Sequence, residues 1–335
     1  NGDGELMADY KAIKGFTIQT IAGDPPAPII GQVWYNTSSN KLKGYVSGSG
    51  AWAAGGNMNL ARGENAGAGI VTAAVVWGGD APPSTTPPGF VKECEEYDGT
   101  SWTEVNNTNE SQASMGSLGT ATAAMSISGV NPAPPGPNNT ETYDGTSWTN
   151  TADTLVKGSY MSCAGTTTAG IAAGGSGTAT SEIWNGTSFS EGNDLNTPRT
   201  GAGSAGTVST AALAIGSSPN SGVTEEWNGT SWSEQNDLNT GREGFAASFG
   251  TTTSAIVAGG HNGPVPSRSV LTEKYDGTSW TEVAALAVAM RLGAGGGTSA
   301  SSGFRADGHP GAGGYSLTSS EWADPYLAVE TFTSS

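Results

Sequence analysis

A phrase that returns along the chain limits what it can fold into. Glu95-Glu96-Tyr97-Asp98-Gly99-Thr100-Ser101-Trp102 recurs as Thr142-Tyr143-Asp144-Gly145-Thr146-Ser147-Trp148, Trp184-Asn185-Gly186-Thr187-Ser188-Phe189, Trp227-Asn228-Gly229-Thr230-Ser231-Trp232 and Tyr275-Asp276-Gly277-Thr278-Ser279-Trp280. A degenerate copy runs from Tyr45 to Trp52, and a truncated one is Glu321-Trp322-Ala323-Asp324. The leading aromatics at 97, 143, 184, 227, 275 and 322 lie 41 to 48 residues apart. A period of roughly 40–50 residues is the mark of propeller blades. Helical repeats of similar length are excluded, because no 3.6-residue apolar periodicity accompanies the period.

Asp-Gly or Asn-Gly between β-rich flanks signals a tight hairpin, because a type I′ turn needs positive φ at both central residues. With Asp98-Gly99 as the loop, Tyr97 pairs with Thr100 and Glu95 with Trp102. Tyr97 and Trp102 then share one face as diagonal neighbours, with Glu96 and Ser101 on the other. Each copy carries such an aromatic pair: Tyr97 and Trp102, Tyr143 and Trp148, Trp184 and Phe189, Trp227 and Trp232, Tyr275 and Trp280.

Before each hairpin comes a strand of small residues closing on glycine, with another Gly/Ala/Ser-rich stretch upstream. Four short strands per unit follow, the composition of one blade. The 52 glycines among 335 residues suit inner strands crowded around a channel. Regularly placed Trp and Tyr distinguish the chain from a disordered Gly/Ser tract. Six inner segments, at 62–79, 112–129, 157–175, 199–216, 242–260 and 291–308, set the count at six blades. The last lacks a Gly-Thr-Ser-Trp half, which a strand around Gly50-Ala51-Trp52 would supply, closing the ring and covering an edge.

About 17 positions before each closing glycine stands a basic or polar residue: Arg62, Gln112, Lys157, Arg199, Arg242 or Arg291. Two roles are open to them, structural hydrogen-bond donors at the strand entrances or a functional ring of donors on one rim.

Tyr-Asp, then Gly-Thr-Ser-Trp-Thr, then a Leu-Asn-Thr-x-Arg lead as at Leu195 to Arg199 and Leu238 to Arg242, then a strand closing on Gly-Gly, resembles the Kelch repeat, in a variant with a shortened hairpin loop. The resemblance covers residues 45–335. It implies an all-β fold, a six-bladed propeller of four-stranded antiparallel blades.

Residues 1–6 precede Met7-Ala8-Asp9-Tyr10 and read as an upstream remnant or tag. Residues 7–44 differ from the repeats and are expected to form an anchoring arm. Asp24-Pro25-Pro26-Ala27-Pro28 reads as a stiff linker, and Gly31 to Thr37 opens a hairpin returning through Lys41 to Tyr45. This succession resembles segments of bacteriophage virion and tail-appendage proteins, especially of marine and cyanobacterial phages, where Kelch-like propellers with Asp-Gly-Thr-Ser-Trp turns also occur.

Thirteen basic residues against 30 acidic ones give a net charge of −17, which argues against nucleic acid or an anionic membrane as partner. No run approaches the about 18 apolar residues of a membrane span, and the chain is expected to be soluble. Cys94 and Cys163 match neither a disulfide framework nor a zinc site. Kelch relatives include copper-radical oxidases; His261 and His309 follow glycine in neighbouring repeats, but their periodic placement reads as loop positions, and no metal or cofactor is expected. Glu95, Glu96, Glu225, Glu226 and Glu273 are the candidate carboxylates for glycosidase chemistry, but they belong to the repeated strand and read as solvated edge charges. Sequons at Asn36, Asn106, Asn109, Asn138, Asn185 and Asn228 partly coincide with Asn-Gly turns.

The reading is therefore a non-enzymatic propeller on a virion surface or outside the cell, as a tail appendage, fibre or head decoration. Residues 7–44 would hold it to virion structural proteins. Host-surface glycan or protein, or further copies of the chain, are candidate ligands of the propeller. The loops Asp80 to Gly89, Asn131 to Asn139 and Asn262 to Ser267 are the expected recognition elements. The alternative is a secreted carbohydrate-binding or carbohydrate-active propeller, which a non-repeating cluster of acids with Arg or His on one face would favour.

Overall fold

A computed structural model describes residues 18–26, 31–47, 50–82, 89–131, 139–263, 267–310, 314–324 and 327–331. The remnant 1–6, the start of the arm and most of the three proposed recognition loops lie outside these residues. The described residues are all-β, with seven four-stranded sheets and no helix.

The chain divides into two units, residues 50–324 and residues 1–49 with 325–335. Six antiparallel sheets occupy the larger unit. In the first, Ala66–Ile70, Ala73–Trp77, Cys94–Tyr97 and Trp102–Val105 pair in chain order. The next four repeat this plan. The sixth joins Ala294–Ser299, Ser302–Ala306 and Ser319–Ala323 to Ala51–Ala54 from the start of the unit, with Trp322 opposite Trp52.

First strands lie beside one another in chain order, and Ala294–Ser299 of the sixth sheet lies beside Ala66–Ile70 of the first. The result is a propeller-like arrangement. Close approach explains the small residues. A Cβ at Gly116 would stand 2.4 Å from Cys163 Sγ, and one at Gly295 only 2.7 Å from the Ala247 Cβ. The apolar core is correspondingly divided into clusters between neighbouring sheets. Trp77 and Cys94 meet Tyr143 and Trp148 of the following sheet, and Ala294 and Phe304 of the sixth meet Tyr97 and Trp102 of the first.

The hairpins correct the expected register. Tyr97 lies directly opposite Trp102, and Glu96 opposite Thr103, so the central residues are Gly99-Thr100 rather than Asp98-Gly99. Only Gly99 takes positive φ, +93°, as a II′ turn requires of its first central position. Asp98 stands outside the turn centre because its Oδ1 accepts from the amides of Thr100 and Ser101, both at 2.8 Å. Asn185 and Asn228 cap their turns in the same way. Direct opposition brings the rings together: centroids are 4.8 Å apart for Tyr97–Trp102, 5.0 Å for Tyr143–Trp148, 4.9 Å for Trp184–Phe189, 5.5 Å for Trp227–Trp232 and 4.9 Å for Tyr275–Trp280. Such pairs are worth about 0.5–1.5 kcal/mol beyond area burial. Trp52 and Trp322, 5.5 Å apart, rebuild the pair from the two ends of the unit.

The smaller unit corrects the expected division at residue 45. Tyr45 and Trp52 form no hairpin: Lys41–Ser47 pairs with Val33–Asn36 on one edge and with Leu327–Thr331 on the other. Gln19–Ile21 adds a parallel strand. The proline stretch begins at an anchored residue, since Asp24 Oδ1 accepts from Trp34 Nε1 at 3.1 Å and Asn36 Nδ2 at 2.7 Å, and Asp24 pairs with Lys43 at 2.9 Å.

Candidate functional site

Five of the six sheets each contribute one deeply buried carboxylate. Glu225, on the third strand of the fourth sheet, accepts from the Asn196 amide at 2.7 Å, the Asn196 side chain at 3.0 Å and the Thr197 amide at 3.1 Å. Arg199 Nη2 reaches it at 2.7 Å, while Nη1 donates to the carbonyls of Gly216 and Val223. Leu195 is buried beside them. This accounts for the Leu-Asn-Thr-x-Arg phrase: leucine packs, asparagine bridges and arginine neutralises, so the carboxylate clamps the loop that enters the sheet.

Glu95 with Asn59 and Arg62, and Glu273 with Asn239 and Arg242, repeat the arrangement. Glu141 and Glu182 hold the same loop amides without an arginine, and burial raises the Glu141 carboxyl. Glu95, Glu225 and Glu273 are thus buried scaffold groups and not solvated edge charges. A strand-edge position is solvated only when no loop covers it, and here the entering loop does.

Arg62, Arg199 and Arg242 are fully buried and lie in these clamps. Lys157 and Arg291 fall one residue to either side of the equivalent position. The second glycine closing a sheet donates its amide to the carbonyl of Gln112, Gly158, Arg199, Met290 or Arg62 in the following sheet, and this bond aligns Gly158 and Met290 with the arginines. Lys157 is exposed, and Arg291 bridges to His309. A constant spacing from glycine misplaced both because the lead segments differ by one residue.

The sixth sheet has Ser320 where the others carry the clamp glutamate. Arg305 on the adjacent strand donates to Ser320 Oγ and Thr318 Oγ1, both at 3.0 Å, and to the Asp307 carbonyl at 2.7 Å. Arg62 Nε reaches Asp307 Oδ2 at 3.2 Å, linking the sixth and first sheets. Burial raises the Asp307 carboxyl, against the pull of Arg62, and lowers Arg305 to about 10.

The inner ends of the sheets are built differently. Glu64, Ser114, Tyr160, Gly201, Gly244 and Leu292 occupy equivalent places before the six first strands, all with φ between +53° and +68°. They are chained by backbone bonds: Glu64 donates to Leu292, Ser114 to Glu64, Tyr160 to Ser114, Gly244 to Gly201 and Leu292 to Gly244, at 2.7–2.9 Å. These residues border a cavity of about 590 Å³ running along the first strands. Left-handed backbone at a residue other than glycine costs roughly 1–3 kcal/mol and persists only where its surroundings enforce it. Glu64 Oε2 accepts from Ser114 Oγ at 2.6 Å and Tyr160 Oη at 2.7 Å. Burial and the Glu64 charge raise the Tyr160 phenol, which remains a donor. Glycines 201 and 244, two residues after Arg199 and Arg242, were the only trace of this circle in the sequence.

Polar residues that do not repeat lie at the same end of the sheets. Tyr315 donates to Asp80 at 2.5 Å, His261 Nδ1 lies 3.3 Å from Glu243, and burial lowers His309. Among the described residues no group of three or more His, Cys, Asp or Glu is placed to hold a metal. Cys94 and Cys163 are buried free thiols, both pushed up to about 12 by burial.

No protein-family model and no curated protein sequence matches the chain. Its fold is similar to the structure of YjhT, with a TM-score of 0.66 at 12% identity, over 83% of this chain and 99% of that one. At such identity the likeness concerns architecture alone.

Proposed function

We propose that residues 50–324 form a six-bladed, Kelch-like β-propeller, closed by Ala51–Ala54 on Ser319–Ala323, that serves without catalysis as a display and attachment protein on the outside of a phage particle. Closure is supported by the chained backbone bonds that lead from Leu292 to Glu64 and by the Trp52–Trp322 pair. It completes the sixth sheet with a fourth strand and leaves only short outer edges, which suits a densely displayed protein.

The observation that carries the display reading is that the segments flanking residues 50–324 on both sides join in one small unit. Lys41–Ser47 and Leu327–Thr331 pair within it, apart from the six sheets. An attachment device needs such a division, with one unit for anchoring and one for presentation. The anchoring segment overlaps the one that resembles virion and tail-appendage proteins. The negative net charge disfavours nonspecific adhesion to anionic surfaces.

Electron microscopy of the purified particle with gold-labelled antibody against the propeller tests this reading. Labelling of a tail or head appendage is expected, with density for residues 7–44 against a virion protein. Absence of the protein from washed, intact particles would overturn it.

A further inference from the structure

At the channel mouth the sheets differ chemically although their backbones agree. Three consecutive sheets place Glu64, Ser114 and Tyr160 in left-handed backbone, where glycine would be unstrained and where the fourth and fifth sheets do use Gly201 and Gly244. Strain retained at polar side chains that converge on one another points to a function for them. Gly201 and Gly244, across the circle, carry no side chain.

Unmet hydrogen-bonding capacity indicates the ligand. Glu64 Oε2 is held by the Ser114 and Tyr160 hydroxyls, while Oε1 has no hydrogen-bond partner among the described residues. The neighbouring Asn65, 7% exposed, also lines the cavity. Its Nδ2 donates to Asp307 at 3.2 Å, which turns the amide into the packing between the sheets, and its Oδ1 is buried there, out of a ligand's reach. The open group, Glu64 Oε1, is an acceptor, so the complementary molecule offers a donor. Glu64 is the one charged side chain among the described residues lining the cavity. The Ser114 and Tyr160 hydroxyls already solvate that carboxylate, so the mouth does not demand a cation. Glycine, alanine and threonine walls around about 590 Å³ admit a small polar molecule, within the range of ligand cavities.

We infer that the channel mouth formed by Glu64, Ser114 and Tyr160 binds a neutral polyhydroxylated ligand of monosaccharide size, with a ligand hydroxyl donating to Glu64 Oε1. The inference deepens the attachment reading, on which it rests, by naming a glycan-type ligand and its place.

Ligand-observed NMR on the full chain, with glucose, galactose, mannose and N-acetylglucosamine as probes and with glucuronic acid and putrescine for comparison, tests it. At least one neutral sugar is expected to bind in preference to the acid and the amine. Glu64→Gln is expected to weaken that binding about tenfold or more, since hydrogen bonds to a charged group are the stronger ones. Tyr160→Phe, which leaves the carboxylate in place but removes one of its donors, is expected to weaken it severalfold and serves if Glu64→Gln does not fold. Failure of every neutral sugar to bind, preference for glucuronic acid or putrescine, or undiminished binding in the folded variants would overturn the inference. Gold labelling separates the two readings: a labelled particle with no sugar binding rejects this site alone, and sugar binding by a protein missing from particles rejects display alone.

Discussion

At the outer hairpins Tyr97–Trp102, Trp184–Phe189 and Trp227–Trp232 bring paired aromatic rings within 4.8–5.5 Å in sheet after sheet, whereas the channel mouth carries Glu64, Ser114, Tyr160, Gly201, Gly244 and Leu292 on one repeated backbone. Each hairpin pair packs against the sheet before it, so the same shape is required every time. The mouth residues face a cavity, where packing sets no common shape and side chains are free to differ. Repetition therefore marks scaffold here, and departure from it marks the place to seek a ligand.

The largest expected effect lies on the scaffold side. Glu225→Ala leaves Arg199 buried without its carboxylate and frees the Asn196 and Thr197 amides. Losing one partner of a buried pair costs about 3–5 kcal/mol, to be read by urea unfolding. Trp52→Ala removes the partner of Trp322; as Trp52 is half-buried, we expect about 2–3 kcal/mol, below the roughly 3–5 of a fully buried tryptophan. A destabilisation under 0.5 kcal/mol would contradict the role of this pair in joining the two ends of the unit.

Smaller effects are expected at the mouth and the turns. Ser114→Gly exchanges a hydrogen bond to Glu64 for relief of left-handed strain, so stability should change by less than about 1 kcal/mol. A loss comparable to that of Glu225→Ala would make the mouth scaffold too. In the turns, amide donors hold Asp98, Asp144 and Asp276 below the ordinary carboxylate value of 3.8. Their stabilising contribution is therefore full above about pH 4 and disappears as pH falls through the lower folded-state values. A triple Asp→Asn variant at 98, 144 and 276, copying Asn185 and Asn228, should show a flatter melting temperature between pH 4 and pH 2. An unchanged acid profile would deny these caps any part in acid stability.

Aromatic spacing and turn residues made the sheets and their four-strand plan legible, because each Trp or Tyr meets an equivalent neighbour. The turn centre was misread by one residue, since Asp-Gly suits a type I′ centre as well as an Asp cap before a II′ glycine. Burial of Glu95, Glu225 and Glu273 was hidden because the covering loop comes about 30 residues earlier in the chain. The strand Leu327–Thr331 carries no repeat signal, so nothing in the sequence separates it from the propeller, although it pairs with Lys41–Ser47. The left-handed circle was hardly visible, as four of its six members are not glycine.

The division between repeated scaffold and divergent mouth is tested most directly by comparing Glu64→Gln with Glu225→Gln, each assayed for melting temperature and for binding of the neutral sugar the natural chain prefers. The account predicts that Glu225→Gln lowers the melting temperature by about 5 °C or more and retains binding, while Glu64→Gln melts within about 2 °C of the natural chain and loses binding about tenfold. Loss of both properties in both variants, or binding that depends on Glu225 and not on Glu64, would contradict it.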